Sequence, residues 1–230
     1  MRGCLPSIGA PPSRLTPISL DVAQLPLGPI ETNCYLVRLP GATEAVVVDP
    51  SGEAAEIRLE LATRGARCVG ILVTHGHWDH LGGVAELAEG TGAPVSMSET
   101  ERELLERAGD FTPAGVVVRS HSPDVLLAGD ETFELAGITF ETIPVPGHSP
   151  GHLAFAADGA VFSGDVLFAG SVGRTDLPGS SWEVLEASIA TLIDRLPPDT
   201  VVYPGHGPST TLGRELETNP FLAELRAARS

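Results

Sequence analysis

The chain has 230 residues, a net charge of −16 at pH 7, 42% hydrophobic residues and three cysteines. Length and apolar content suit one folded domain with a sizeable core and exclude intrinsic disorder. The acidic balance argues against a nucleic-acid or anionic-membrane partner, which calls for clustered Lys and Arg, and no run of about 20 apolar residues offers a membrane span.

Residues 1–14 read as a loose Pro/Gly-rich tail ahead of a single domain at 15–230. That start lacks the apolar stretch of a secretory signal. Cys4, Cys34 and Cys68 are too few for a disulfide framework and suit a reducing compartment, so the expected location is cytoplasmic. Runs rich in Val, Ile and Thr predict strands at 18–22, 31–39 and 45–49, followed by a helix at 54–63 that Gly65 ends. A buried strand at 68–74, a helix at 81–90, a short strand at 94–97 and a helix at 99–108 come next. Residues 109–130 read as a long loop with a strand fragment at 115–119. Strands recur at 131–135, 138–145, 152–157 and 160–164, then a helix at 181–195, a strand at 200–203 and short helices at 212–217 and 220–228. Both halves share one plan, a strand meander followed by helices and a strand ending in a polar loop. Sheet stacked on sheet with helices outside is the layered solution to that pattern.

The polar loops carry the chemistry. Thr74-His75-Gly76-His77-Trp78-Asp79-His80 follows an apolar strand and precedes a helix, with four candidate ligands in six residues. Neutral imidazole and carboxylate suit zinc and other first-row metals. His148 lies in Pro146-Gly147-His148-Ser149-Pro150-Gly151-His152, Asp165 in Ser163-Gly164-Asp165, and His206 in Pro204-Gly205-His206-Gly207, each directly after a predicted strand. A lone His-x-His would read as an ordinary polar loop; four ligand-bearing loops in the same setting do not.

These motifs, in this order, closely resemble the metallo-β-lactamase superfamily over about residues 18–222. The resemblance implies an α/β fold, the αββα sandwich with two mixed sheets and helices on the outer faces, and two divalent metal ions per chain. It places His75, His77 and His148 at one metal, Asp79, His80 and His206 at the other, and Asp165 between them. Zinc is the first candidate, with iron or manganese also compatible with these donors. Three imidazoles leave an open position on the first metal, and a metal pair generates hydroxide near neutral pH.

Glu31-Thr32-Asn33-Cys34-Tyr35, Gly164-Asp165-Val166-Leu167-Phe168 and Thr218-Asn219-Pro220-Phe221 resemble the short, single-domain members of the glyoxalase II group. That resemblance implies hydrolysis of an S-acyl thiol conjugate, such as S-lactoylglutathione, to a carboxylate and a free thiol by metal-bound hydroxide. Asp79 would be the catalytic carboxylate beside that hydroxide. Two departures leave the thiol carrier open. The helical domain with which larger members hold glutathione has no counterpart in the 24 residues after His206, and Arg174 and Asp176 stand where Lys and Tyr are usual. Arg174 is the candidate for a substrate carboxylate, with a salt bridge to Asp176 as its alternative. Gly173-Arg174-Thr175-Asp176 is similar also to persulfide dioxygenases, mononuclear iron enzymes on the same fold, which are the alternative activity; a non-catalytic scaffold is a minor one. His152 reads as a structural or supporting residue, His121 as solvated, and Cys34, Cys68, Tyr35 and Tyr203 as core. The expected partner is the small-molecule substrate. No sequence feature decides for or against a homodimer.

Overall fold

The computed structural model describes residues 20–229, so the expected tail at 1–14 lies outside the described residues. β1 (Asp21–Leu27), β2 (Thr32–Arg38) and β3 (Glu44–Val48) form an antiparallel meander. α1 (Ala54–Thr63) returns the chain to β4 (Arg67–Leu72), which pairs parallel with β3. After α2 (Trp78–Leu81) and α3 (Val84–Thr91), β5 (Val95–Ser98) joins β4. Beyond α4 (Arg102–Glu106), β6 (Val125–Leu127) completes a sheet ordered β1-β2-β3-β4-β5-β6.

The second sheet begins with a meander of β7 (Thr132–Leu135), β8 (Ile138–Pro144), β9 (Leu153–Ala157) and β10 (Ala160–Gly164). A small hairpin, β11 (Leu167–Phe168) with β12 (Ser171–Val172), leads to α5 (Trp182–Arg195). The chain then lays β13 (Val201–Pro204) parallel to β10 and β14 (Thr210–Thr211) against β13, and ends in α6 (Leu212–Thr218) and α7 (Ala223–Ala228).

Side-chain alternation with period two builds the layers. On β2, Cys34 and Leu36 pack with Ile57, Leu61 and Leu87 of α1 and α3. Tyr35 and Val37 point the other way, into a shared layer with Phe140, Phe155 and Phe162 of the second sheet. On β9, Leu153 and Phe155 join that middle layer, whereas Ala154 and Ala156 pack with Leu185, Ile189 and Leu192 of α5. Helix, sheet, sheet and helix therefore stack as the expected αββα sandwich with two mixed sheets. No helix among the described residues is long and apolar enough to cross a membrane.

Several boundaries differ from the sequence reading. The first strand runs over Asp21–Leu27 rather than 18–22. The helix expected at 81–90 is two helices, because the Gly83 amide donates to the Pro50 carbonyl at 2.7 Å and interrupts the helical ladder. The 99–108 helix breaks into a 3-10 turn at Glu99–Glu101, α4, and a second turn at Ala108–Asp110. No strand forms at 115–119, where Val117 is 86% exposed. The sixth strand of that sheet is β6 instead, held in register by Asp124, which exchanges two hydrogen bonds with Val95.

The middle layer sets a stability test. Phe162 is fully buried, with its ring 5.5 Å from Tyr35 and 5.1 Å from Tyr203. Phe162→Ala is expected to lower unfolding stability by about 3–5 kcal/mol in urea titration, whereas Leu59→Ser, on the exposed face of α1, should stay within about 0.5 kcal/mol.

Candidate metal centre

Four strands of the sandwich end at one edge, and each delivers ligands in the loop that follows it. His75 and His77 leave β4, with Asp79 and His80 on α2 directly after them. His148 follows β8, Asp165 follows β10, and His206 follows β13. Every one of the seven residues singled out from the sequence reaches this place. His77 Nδ1 lies 3.0 Å from His75 Nε2 and 2.9 Å from His148 Nε2, so three imidazole nitrogens face a common point. Asp79, His80 and His206 form a second set. His206 Nε2 and His80 Nε2 each stand 3.4 Å from Asp79 Oδ2.

Asp165 lies between the sets. Its Oδ1 is 3.4 Å from His80 Nε2, and its Oδ2 is 3.5 Å from His148 Nε2 and 3.6 Å from His206 Nε2. Such an approach demands that the His206 loop come close. A Cβ on Gly205 would stand 2.0 Å from Asp165 Oδ1 and 2.8 Å from the His80 ring, so only glycine fits there.

A layer of partners fixes which nitrogen three of the rings present. His80 Nδ1–H donates to Asp49 Oδ2 at 2.9 Å, leaving Nε2 to face the centre. Thr74 Oγ1–H donates to the same Asp49 at 2.7 Å, and the hydroxyl oxygen accepts from His75 Nδ1–H at 3.1 Å. His148 Nδ1–H donates to the Arg174 carbonyl at 2.8 Å. Partners of this kind lock tautomer and ring orientation in metal sites. Thr32 Oγ1–H holds Asp79 Oδ2 at 2.8 Å. The Asn33 amide donates to the carbonyls of Pro204 and Gly207, and the Tyr35 hydroxyl to Pro204, so both secure the His206 loop.

The donor set fits divalent metal. His80 Nε2 and Asp165 Oδ1 are buried side-chain atoms without a hydrogen-bond partner among the described residues, an arrangement that normally costs free energy and that a cation between them would satisfy. Burial, with the neighbouring imidazoles, pushes His75 well below its ordinary value. Burial and then His148 bring His77 to about 4, so both rings are neutral and ready to ligate at pH 7. Burial also opposes the charge on His80, but Asp49, Asp165 and Asp79 outweigh it and hold that ring protonated; the proton stands in for a cation. Asp79 sits at about 2 despite burial, because His80, His206 and Thr32 favour its ionised form. His80 and the neighbouring histidines keep Asp165 well below the carboxylate range, again against burial.

The remaining sequence candidates fall around this centre. The Arg174 guanidinium is 63% exposed and forked onto Asp176, at 2.6 and 2.7 Å, so the salt-bridge alternative is the arrangement adopted; only the Arg174 backbone touches the site. His152 is buried, stacks on His75 at 4.5 Å and accepts the Asp165 amide N–H. Cys34, Cys68 and Tyr35 are buried as expected. Sequence reasoning missed Asp49, Thr32 and Thr74 as supports. For Asp49 the signal was a lone carboxylate ending a run of valines. A cleft of ≈ 450 Å³ opens beside Asp79 and Thr32, walled by Trp78, Glu86 and residues 116–119, and a second of ≈ 240 Å³ opens beside His206, walled by Gln24 and Ile30.

A family model described as the metallo-beta-lactamase superfamily matches residues 27–206. Hydroxyacylglutathione hydrolase GloC of Haemophilus influenzae is 33% identical over 88% of this chain and 98% of its own. Among solved structures, the B3 metallo-beta-lactamase BLEG-1 superposes with a TM-score of 0.83 at 38% identity, over 88% of this chain and all of that one. TTHA1623, in a di-iron-bound form, gives 0.75 at 41% identity, over 87% of this chain and all of that one.

In the metal-free protein, His77 is expected to titrate near pH 4 rather than 6.5, as read by imidazole ¹⁵N NMR. Between those values the unfolded chain carries the proton and the folded one does not. This residue therefore removes stability as pH falls through that window, and restores it as pH rises.

Proposed function

The chain belongs to the metallo-β-lactamase superfamily, and from that membership we propose that it is a binuclear metal-dependent hydrolase of S-acyl thiol conjugates, of the glyoxalase II kind. The observation that carries this reading is Asp165, one carboxylate facing both ligand sets. His75, His77 and His148 would hold one metal, Asp79, His80 and His206 the other, and Asp165 both. Two divalent cations there would supply Lewis acidity, polarising a carbonyl and acidifying water near neutral pH. Zinc, iron and manganese all suit the donors.

This chain's own residues favour a thioester among hydrolase substrates. Asp79 and Asp165 are ionised, and the site's imidazoles serve as ligands, so the centre keeps little acid to protonate a leaving group. A thiolate, with an ordinary pKa of about 8.5, leaves without one; an amine does not. Asp79, anchored by Thr32, is positioned to orient water by accepting its hydrogen bond. The clefts at Asp79 and His206 provide room for the two arms of a thioester, acyl group and thiol carrier. A carrier carboxylate would have to draw Arg174 away from Asp176. The similarity to GloC supports the same reading. We place the reaction on a small soluble thiol conjugate in the cytoplasm.

Elemental analysis of protein purified without chelator is expected to give two metals per chain, together with hydrolysis of S-lactoylglutathione or another acyl thiol ahead of a β-lactam. Asp165→Ala should lose metal and lower kcat/KM by at least about 100-fold. One iron per chain with oxygen uptake on a persulfide would transfer the assignment to the dioxygenase, and Asp79→Ala with unchanged turnover would remove the catalytic role of that residue.

A further inference from the structure

Glu101 is buried, 2% exposed, in the 3-10 turn between β5 and α4. Its partners lie on two different ligand loops. One carboxylate oxygen accepts the Gly76 amide at 2.5 Å, between His75 and His77. The other accepts the Gly151 amide at 2.8 Å and the Ser149 hydroxyl, just beyond His148. Both loops are pared to glycine where they meet this segment. A Cβ on Gly76 would lie 2.6 Å from Leu104 Cβ, and one on Gly151 would lie 2.8 Å from Glu101 Cγ and 2.7 Å from Thr100 Cβ. At its base the first ligand loop is tied to the start of β9 by a backbone bond from Leu153 to Thr74; farther out, the two ligand loops meet on Glu101.

We propose that Glu101 is a positioning residue that sets the separation of the His75–His77 loop from the His148 loop, and thereby the metal affinity of that imidazole triplet. The triplet draws its rings from both sheets, with His77 Nδ1 only 2.9 Å from His148 Nε2, so a small slip between the loops opens it. A carboxylate alone among isosteric side chains can accept on both oxygens, as Glu101 does here. Glutamine preserves the volume but turns an NH₂ toward a backbone N–H. The proposal rests on the functional reading above only in treating the triplet as a metal site.

The test is titration of the metal-free protein with zinc against a chromophoric chelator, repeated with cobalt to record its visible spectrum, for wild type, Glu101→Gln and Ser149→Ala. Thermal melts of the metal-free proteins run alongside. Glu101→Gln is expected to weaken one of the two metals about 10–100-fold, with an altered cobalt spectrum for that metal and unchanged affinity for the other. Ser149→Ala, which removes one donor of three, should weaken the same metal by less. A folded Glu101→Gln that binds both metals as wild type does overturns the proposal, as does a lowered melt with unaltered affinity, which would mark Glu101 as merely structural. If Glu101→Gln does not fold, Ser149→Ala decides, and wild-type affinity there overturns it. Wild type that binds a single metal, or binds two without thioester turnover, defeats the binuclear thioesterase reading while the Glu101 comparison still stands on the metal that is bound; wild type that binds none defeats both.

Discussion

Five imidazoles and two carboxylates crowd one edge of the sandwich, and lone pairs brought this close repel until positive charge sits among them. Much of the local structure follows from that repulsion. Without metal, three carboxylates push His80 toward its protonated form, whereas burial and the neighbouring imidazoles push His75 and His77 toward the neutral one. Three of the five rings are kept from turning away by a partner on the far side: Asp49 for His80, Thr74 for His75, the Arg174 carbonyl for His148. Asp49 itself adopts φ of +48°, an uncommon conformation for a residue other than glycine that is often found at functional sites.

The supports form two groups, one on each flank of the site. Asp49 accepts from Thr74 and His80 together, so one carboxylate sets His80 directly and His75 through the Thr74 hydroxyl. Thr32, Asn33 and Tyr35 on β2 reach in alternate directions, the first to Asp79 and the others to the His206 loop. On the opposite flank, Glu215 accepts from Thr210, Gly170 and Asn219, and Asn219 donates to carbonyls of the β11–β12 hairpin. That hairpin leads directly into the Arg174 carbonyl on which His148 depends.

The seven clustered residues were legible in sequence because each lies in, or directly after, a glycine-containing loop that follows an apolar strand, a setting that repeats. The sheets were legible where side chains alternate or where a run is buried on both faces, as in β2, β4, β9 and β10. Two- and three-residue ladders such as β6, β11 and β14 carry too few residues to show a period, and tertiary pairing alone creates them. Supporting carboxylates were invisible for a different reason. Glu101 stands in an acidic stretch, Glu99 to Glu106, that reads as a solvated helix face; only the meeting of two distant loops makes it a buried acceptor. Arg174 shows the reverse, a cation conspicuous in its motif whose backbone rather than its charge meets the site.

The ligands are divided between the two sheets. His75, His77, Asp79 and His80 follow a strand of the first, while His148, Asp165 and His206 follow strands of the second. Cations bound here would therefore act as rivets through the rim of a shell whose sheets are held together by a hydrocarbon layer and a few polar ties, among them those from Asn33 and Tyr35 to the His206 loop. Occupancy adds to folding stability by mass action, about 2.7 kcal/mol when free metal is 100 times its dissociation constant. Scarcity would accordingly deplete the protein as well as silence it, since chains lacking their rivets would open more often at that rim and be cleared by proteases. Metal supply would thus set how much of the protein persists as well as how much of it is active.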